Sequence, residues 1–337
     1  MKKYIPTIFT VIIIITLSIL GFTLGGFSLS QNQLDTLLIL GIVCGSAALY
    51  CFVVGEISGN NSQMDKLWSI LPIAYGWIIA AKGEFKPRLL IIAIIITLWG
   101  IRLTFNFARK GAYHWKFWEG REDYRWVIVR GFKIFHNRFA WAMFDLLFIS
   151  VYQNALVLVM TFPAVAMMDS TAALGVWDFV GAGLAVAFLL LETIADEYQW
   201  KFHQNKRKLM QNGTNLEDID APYNKGFNTT GPWGYMRHPN YLGEQGIWMS
   251  FYIMTVSAGV CYYGVFNWSW FGPLLIVFLF LASSPLGENI SNSKYPEYKY
   301  YLNYVFKYLP IRKYDYEKAK AKYDSENSSD ELKAESI

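Results

Sequence analysis

Long apolar blocks alternate with short polar loops along most of the 337-residue chain. A helix that crosses a bilayer needs about 20 consecutive apolar residues, and eight blocks approach that length. The predicted spans are residues 5–27, 34–54, 67–81, 89–108, 139–168, 176–195, 241–263 and 267–282. The last is short enough to be re-entrant instead. The pattern predicts an all-α, polytopic transmembrane helical bundle of about seven or eight spans.

The C-terminal part of the chain has a different pattern. Residues 283–316 are polar and aromatic, and residues 317–337 are charged and rich in serine, without apolar periodicity. Such a segment cannot bury enough apolar surface to order itself. We therefore predict one membrane-embedded domain over residues 1–316 and a disordered charged tail over residues 317–337.

Composition agrees with the membrane prediction and narrows the classes of partner. The chain is 54% hydrophobic and 17% charged, whereas soluble domains carry about a quarter charged residues. The net charge of +4 is too small to suggest a nucleic-acid partner. Cys44, Cys51 and Cys261 fall in apolar segments without partner spacing, so we expect neither a disulfide framework nor a metal site.

The loop charges predict an orientation in the membrane. Residues 109–138 carry eight Lys or Arg against three acids, and residues 196–240 are also basic. With eight spans and the N-terminus inside, both loops and the C-terminal segment lie on the cytoplasmic side, as the positive-inside rule requires. The cations of the 82–88 loop are an exception. We predict an integral protein of the bacterial inner membrane with both termini cytoplasmic.

The densest polar segment is Gly-Pro-Trp-Gly-Tyr-Met-Arg-His-Pro-Asn-Tyr-Leu-Gly-Glu, residues 231–244. Pro239 has no N–H to leave unpaired, and the following asparagine is a good cap, so a helix begins here. A positive helix end beside cationic side chains favours phosphate or carboxylate groups. A membrane-interface belt is the alternative for the aromatic residues. The candidate site residues of this segment are Arg237, His238, Asn240, Tyr241 and Glu244.

A stripe of polar residues lies on the sixth span and its extension. Glu192, Asp196 and Gln199 are spaced i, i+4, i+7 on one helical face. At the predicted cytoplasmic end of this span, the three side chains could bind ribose hydroxyls or an amide. A solvated helix end is the alternative.

The fourth span carries a second stripe with the same spacing, made of Arg102, Asn106 and Arg109. Arg109 alone would be an ordinary anchor that reaches the headgroups. Arg102 lies about two turns deeper, where an unpaired guanidinium is costly, so it predicts a phosphate or carboxylate partner.

Further candidates lie near the ends of other spans. Asp65 stands directly before the third span, where a helix cap is the alternative role. Glu288 follows the last apolar block and could face the same site as Arg237, and Tyr295 lies just beyond it. A charged and aromatic group, Glu122 to Trp126, is typical of a set of surface ion pairs.

Together these motifs resemble a known family. Gly-Tyr-Met-Arg-His-Pro-Asn-Tyr-Leu-Gly-Glu, with Glu-x-x-Ala-Asp-x-x-Gln upstream and Lys-Tyr-Pro-Glu-Tyr downstream, is similar to the C-terminal domain of the steroid 5-alpha-reductase family. The likeness is closer to its bacterial branch of uncharacterised membrane proteins, and it covers about residues 65–310. Isoprenylcysteine carboxyl methyltransferases and sterol reductases have segments similar to Arg-His-Pro-x-Tyr.

The resemblance implies a membrane reductase that binds NADPH at its cytoplasmic face. The cofactor positions that it implies are Arg102, Asp196, Arg237, His238, Asn240, Tyr241 and Glu288. To these we add Arg109, Glu192, Gln199 and Tyr295 as further candidates. Asp65 matches the acid that polarises the substrate carbonyl, and Glu244 is a second catalytic candidate. The position of the family's tyrosine holds Trp99, so steroid specificity does not carry over.

The expected function is NADPH-dependent reduction of a carbon–carbon double bond in a lipophilic substrate, with membrane lipids as the surroundings. An S-adenosylmethionine-dependent methyltransferase of the isoprenylcysteine carboxyl methyltransferase type is the alternative. A non-catalytic lipid-binding membrane protein is a third possibility.

Overall fold

The structure, a computed structural model, describes residues 26–211 and 213–334, together with residues 16, 19 and 23. The first predicted span, 5–27, lies almost entirely outside the described residues. Within them, the regular structure is helical except for one isolated bridge between Tyr263 and Phe266. The all-α prediction is confirmed for this part of the chain.

The helices follow one another with short connections. In chain order they are α1 (Gln31–Ser58), α2 (Gln63–Leu67), α3 (Leu71–Lys82), α4 (Pro87–Ala108), α5 (Tyr124–Arg130), α6 (Arg138–Phe144), α7 (Gln153–Val159), α8 (Phe162–Met167), α9 (Val176–Leu209), α10 (Pro239–Ser257), α11 (Phe271–Lys294), α12 (Tyr298–Tyr304) and α13 (Tyr316–Ala334). A π-helix, Asp145–Tyr152, joins α6 to α7. Single 3-10 turns cover Lys133–His136, Leu216–Asp218, Tyr223–Lys225, Gly231–Gly234 and Trp268–Trp270.

Five helical stretches among the described residues are long and apolar enough to cross a membrane. They are Gln31–Ser58, Pro87–Ala108, Arg138–Met167, Val176–Leu209 and Trp268–Lys294. The third predicted span is the shorter helix α3, whose 12 residues extend only about 18 Å at 1.5 Å per residue. Several apolar helices therefore suit an integral membrane protein, while the count of seven or eight spans stays a prediction.

Local sequence explains where the helices start and stop. The Ser30 hydroxyl oxygen accepts from the Gln33 backbone N–H, and the Gln33 side-chain oxygen accepts from the Ser30 backbone N–H, which completes a capping box at the start of α1. Gly59 ends α1 in the left-handed conformation, with φ 70°, that favours glycine. Pro87 opens α4, where its missing N–H costs nothing.

The C-terminal segment, for which the sequence predicts disorder, is helical from Tyr316 to Ala334. Ala319 is fully buried, and the ring of Tyr323 lies 5.3 Å from that of Tyr300. The Asn303 amide donates to Glu326 at 2.6 Å. These contacts with the α12 region order a segment whose own periodicity gives no reason to fold.

The chain divides into two compact units where the sequence suggests one domain. The first unit comprises Met1–Val186 and Ile247–Phe278, and the second comprises Ala187–Gly246 and Leu279–Ile337. Each is described below by itself.

A buried ion pair lies in the first unit. The Arg88 guanidinium donates to both oxygens of Asp178, at 2.6 and 2.8 Å, and also to the carbonyls of Ala172 and Ala173. Lys86 of the same loop donates to the Met168 carbonyl at 2.9 Å. Arg88 is thus a paired interior residue and not a free loop cation. Lys82 of the same loop is exposed.

Candidate functional site

The segment 231–244 is held in the second unit by its own cation. The Arg237 Nε donates to Glu288 Oε1 at 2.8 Å, and Nη1 donates to the carbonyls of Leu302 and Val305 at 2.8 and 2.6 Å. The backbone N–H of Arg237 also donates to the Phe306 carbonyl. Charge-assisted bonds of this kind are the stronger ones in proteins. Arg237 therefore fixes this segment to α11, to the end of α12 and to the residues that follow it.

Glu288 accepts a second hydrogen bond from the same segment. His238 Nε2 lies 2.8 Å from the oxygen that Arg237 contacts, and its ring stacks on Tyr241 with centroids 4.8 Å apart. Burial lowers the pKa of His238, and the bond to Glu288 offsets this only in part. The imidazole is thus neutral near pH 7. The prediction that Glu288 shares a site with Arg237 agrees with this contact.

The α9 stripe meets the same segment. The Asn240 amide donates to Asp196 Oδ1 at 3.3 Å, and the Trp233 indole donates to the Ala195 carbonyl at 2.8 Å. Glu192 is buried, 4% exposed, one turn away on α9. These contacts place the acid stripe and the Asn240 side chain side by side.

Gln199 is the last residue of the α9 stripe, and its side-chain oxygen is buried. Its amide nitrogen lies 3.1 Å from His203 Nε2. Its Oε1 is buried and makes no hydrogen bond in the described part of the chain. A buried acceptor of this kind indicates room for a donor that the chain itself does not supply.

Close helix packing brings Glu244 into the interior of the second unit. A Cβ on Gly243 would lie 2.6 Å from the Glu192 Cβ and 2.9 Å from the Phe188 carbonyl oxygen. Only glycine allows this approach of α10 to α9. Glu244, next in the chain, is buried.

Tyr295 is engaged by a lysine that the sequence analysis did not single out. The Lys206 Nζ donates to the Tyr295 hydroxyl at 3.1 Å and to the Gly226 carbonyl at 2.7 Å. The ring of Tyr295 also closes over Gly226, where an added Cβ would meet it at 2.2 Å. The spacing of Lys206 and Tyr295, 89 residues apart, gave no sign of this contact.

A cavity of about 650 Å³ opens beside the segment in the second unit. Its polar lining residues are Thr229, Thr230, Tyr235 and Lys313, and its apolar ones include Leu191 and Met236. It is large enough for a drug-sized ligand or part of a nucleotide.

Asp65 belongs to the first unit and is held by the charged and aromatic group of residues 122–126. The Trp126 indole donates to Asp65 Oδ2 at 2.7 Å, and Arg125 lies 3.5 Å from Oδ1. Burial raises the pKa of Asp65, although the Arg125 charge opposes the shift. Trp126 and Arg125 thus hold the Asp65 carboxylate in place, whereas the sequence favoured only a set of surface ion pairs.

The α4 stripe also belongs to the first unit. Arg109 donates through Nε and Nη2 to the Asn106 oxygen, at 3.0 and 2.7 Å, as their spacing on one helical face predicts. Arg102 is half-buried one turn earlier.

Trp99, at the position of the family's tyrosine, is a core residue of the first unit. It is fully buried, and its ring meets Trp248 edge to face with centroids 5.2 Å apart. The Trp99 indole fills the core of the first unit, and it has no phenolic hydroxyl that could donate a proton.

Comparison with known proteins identifies the family. The fold and the buried polar segment define a helical protein with several helices apolar enough for a membrane. The chain belongs to the family described as "Protein of unknown function (DUF1295)", which it matches over residues 51–306. It is 33% identical over 288 residues to the uncharacterised protein C594.04c of Schizosaccharomyces pombe, covering 78% of each chain. No solved structure matches it. The likeness to steroid 5-alpha-reductases stays a prediction.

Proposed function

We propose that this protein is an NADPH-dependent reductase of a carbon–carbon double bond in a lipophilic substrate. One observation carries the proposal. Every predicted cofactor-binding residue except Arg102 and Arg109 belongs to the second unit, where direct contacts link Asp196 with Asn240 and Glu288 with Arg237 and His238.

The donor set of the second unit fits a nicotinamide dinucleotide. Among the described residues, the Gln199 oxygen is a buried acceptor that makes no hydrogen bond, and the amide nitrogen of the buried Asn228 is a donor that makes none. Asp196 and Glu192 suit ribose hydroxyls, and Asn240 suits an amide. Arg237 is already neutralised by Glu288, so we assign it to holding the segment and to the local positive potential. Lys313 in the 650 Å³ cavity is a further cation for a phosphate.

The chain's own part in catalysis is polarisation and proton supply. When bound, NADPH would supply the hydride equivalent for such a reduction. Asp65, whose pKa burial raises, is suited to hold a proton against a conjugated carbonyl oxygen. The Trp126 and Arg125 contacts fix its orientation. Glu244 is the second acid of the proposal. Because Trp99 stands at the position of the family's tyrosine, we assign the supply of the proton to Asp65 and Glu244.

Titration calorimetry on detergent-purified protein tests the proposal with NADPH, NADH and S-adenosylmethionine. We expect saturable NADPH binding, with weaker NADH binding. Asn240→Ala should weaken NADPH binding by about 1–2 kcal/mol, or about 5–30-fold, because one hydrogen bond to the cofactor is lost. Asn215→Ala is the matched control, since Asn215 is exposed and its amide donates to Asp218 on the same surface turn at 3.3 Å.

The other outcomes separate the alternatives. Binding of S-adenosylmethionine alone would assign methyl transfer instead. Binding of none of the three would favour a lipid-binding membrane protein. Equal NADPH affinity in Asn240→Ala and Asn215→Ala would contradict the assignment of the site.

A further inference from the structure

A closed loop with two exposed tryptophans lies in the first unit and belongs to no site assigned above. It comprises residues 111–121 and is called the tryptophan loop below. Its two ends meet where the Arg121 backbone N–H donates to the Gly111 carbonyl at 2.8 Å. Gly120 allows this closure, because an added Cβ would lie 2.1 Å from the Ala112 carbonyl oxygen. Compact surface loops whose ends meet in this way are frequently functional.

The main chain of the tryptophan loop is held by side chains of α2. Lys66 is fully buried and donates to the carbonyls of Phe117 and Glu119, both at 2.6 Å. The Gln63 amide donates to the carbonyl between them, that of Trp118, at 3.0 Å. Hydrogen bonds from a charged donor are the stronger ones in proteins. The loop is therefore fixed to the fold, and so is the direction in which it displays its side chains.

The two tryptophan side chains of this fixed loop face outward. Trp115 is 82% exposed and Trp118 is 48% exposed. The ring of Phe117, between them, packs instead with that of Tyr113, with centroids 5.9 Å apart. An indole has a large apolar body and one polar N–H, so it suits a boundary between an apolar medium and water. The loop thus presents two such side chains to a partner outside the described chain.

The position of the loop indicates what that partner is. The membrane-length helix α4 ends at Ala108, three residues before the loop begins. Three residues span at most about 10 Å, so the loop cannot lie far from the level at which α4 ends. Phe105, in the last turn of α4, is exposed as for lipid contact. Tryptophan is enriched at this level in membrane proteins, beside the lipid headgroups.

The other end of the basic segment 109–138 shows the same pattern. Residues 132–139, called the second patch below, directly precede or begin the membrane-length stretch Arg138–Met167. Ile134 and Phe139 of this patch are exposed. Exposed apolar side chains therefore stand at both ends of the segment, each next to the end of a helix that is long enough to cross a membrane.

The charges of the segment 109–138 indicate the kind of lipid. Its eight Lys or Arg outnumber its three acids. Each acid already lies in an ion pair with a cation of the same segment, and these pairs are Glu119 with Lys116, Glu122 with Arg130, and Asp123 with Arg125. Arg121, Lys133 and Arg138 are further cations, and all three are exposed. Exposed cations beside a membrane attract anionic lipid headgroups.

We propose that the tryptophan loop and the second patch bind the headgroup region of a bilayer that contains anionic phospholipid. The indoles of Trp115 and Trp118 enter the boundary between headgroups and acyl chains, and the exposed cations of the segment contact lipid phosphates. This surface needs no cofactor and does not depend on the proposed reductase function. A second protein that covers the loop is the competing occupant, and the first test separates the two.

The first test measures the surroundings of the loop in nanodiscs of phosphatidylcholine and phosphatidylglycerol. The dye NBD is attached to Trp115→Cys in the full chain, with the three native cysteines replaced by alanine. We expect lipids with a nitroxide near the headgroup to quench the dye, and aqueous iodide to quench it weakly. Glu217→Cys is the control and should show the reverse, since Glu217 is exposed in the polar turn Leu216–Asp218.

Two results of this test would overturn the proposal. Strong iodide quenching at position 115 would place the loop in water. Protection from both iodide and the nitroxide lipids would place it beneath a protein partner.

The second test leaves the tryptophans unchanged and measures the preference for anionic lipid. In native mass spectrometry of the full chain in detergent, phosphatidylglycerol should bind about 10-fold or more tightly than phosphatidylcholine. A variant with Arg121→Gln, Lys133→Gln and Arg138→Gln should lose most of this preference, because its cations no longer attract the lipid phosphate.

The matched control removes the same charge elsewhere. It carries Arg207→Gln, Lys208→Gln and Lys320→Gln, three exposed cations outside the segment 109–138, and it should keep the wild-type preference. The proposal is overturned if the wild type does not prefer phosphatidylglycerol. It is equally overturned if the two triple variants lose the preference to the same extent, since net charge alone would then account for it.

Discussion

At the scale of single residues, Glu288 neutralises Arg237, a cation of segment 231–244. One of its oxygens receives both Arg237 Nε and His238 Nε2, each at 2.8 Å. A buried pair of this kind stabilises little in net terms, but removing one partner leaves an uncompensated charge. The segment is therefore sensitive to the protonation of its histidine.

The pH dependence of stability follows from His238. Because burial lowers its pKa, the unfolded chain binds this proton more readily than the folded protein does. Stability should thus fall as pH drops below the ordinary histidine pKa of about 6.5, until the folded pKa is passed. Thermal unfolding in detergent between pH 7.5 and pH 5 would show a smaller loss for His238→Gln than for the wild type.

The exposed His136 provides the control for this measurement. His136→Gln should follow the wild-type curve. A His238→Gln variant with the full wild-type loss would show that other groups cause the pH dependence.

At the scale of elements, the contact of α9 with α10 in the second unit depends on two glycines. A Cβ on Gly246 would lie 2.3 Å from the Phe188 ring, and one on Gly243 would strike the α9 backbone. Small residues allow helix backbones to approach closely in membranes. This contact sets Glu192 beside the first turns of α10.

Gly243→Ala should lower the free energy of unfolding by about 1–3 kcal/mol, as overpacking does. The backbone oxygen of Phe188 cannot move aside as a flexible side chain can. Gly183→Ala, on α9 with nothing within 4 Å of the added Cβ, should be neutral or stabilising by up to about 1 kcal/mol. Equal midpoints for the two variants in thermal unfolding would argue against a tight contact.

At the scale of the whole molecule, the charge pattern predicts on which side of the membrane each loop lies. The described chain has five stretches of membrane length, and the basic loop 109–138 follows the second of them. The loop 169–175 carries no Lys or Arg. The positive-inside rule then predicts that the two loops lie on opposite sides of the membrane.

Cysteine labelling tests this orientation in a variant whose three native cysteines are replaced by alanine. Arg121→Cys should react with an impermeant maleimide only after the cells are permeabilised, whereas Thr171→Cys should react in intact cells. Both positions are exposed on the protein surface. Labelling of Arg121→Cys from outside would reverse the topology.

Apolar block length and cap chemistry could predict the class of fold and many helix positions. Predicted spans 34–54 and 89–108 correspond to α1 and α4. Ser30 caps the start of α1, and Pro87 is the first residue of α4. The helix over residues 316–334 could not be predicted, since its order depends on contacts with residues near Tyr300.

The candidate site was partly predictable for the same reason. Helical spacing showed which side chains share a face, as Asn106 and Arg109 do. Spacing within a helix says nothing about partners from distant segments. The contacts of Lys206 with Tyr295 and of Trp126 with Asp65 were therefore missed.

The Arg88–Asp178 pair has a consequence for how the protein is made. The two residues are 90 positions apart, so α4 leaves the ribosome long before the acid that neutralises its first turn. At about 5–20 residues per second, the arginine waits on the order of 5–20 s for its partner. During that interval the N-terminal end of α4 must stay near water or lipid headgroups. We therefore expect the final seating of α4 in a bilayer to be a late step of biogenesis, completed only when α9 arrives.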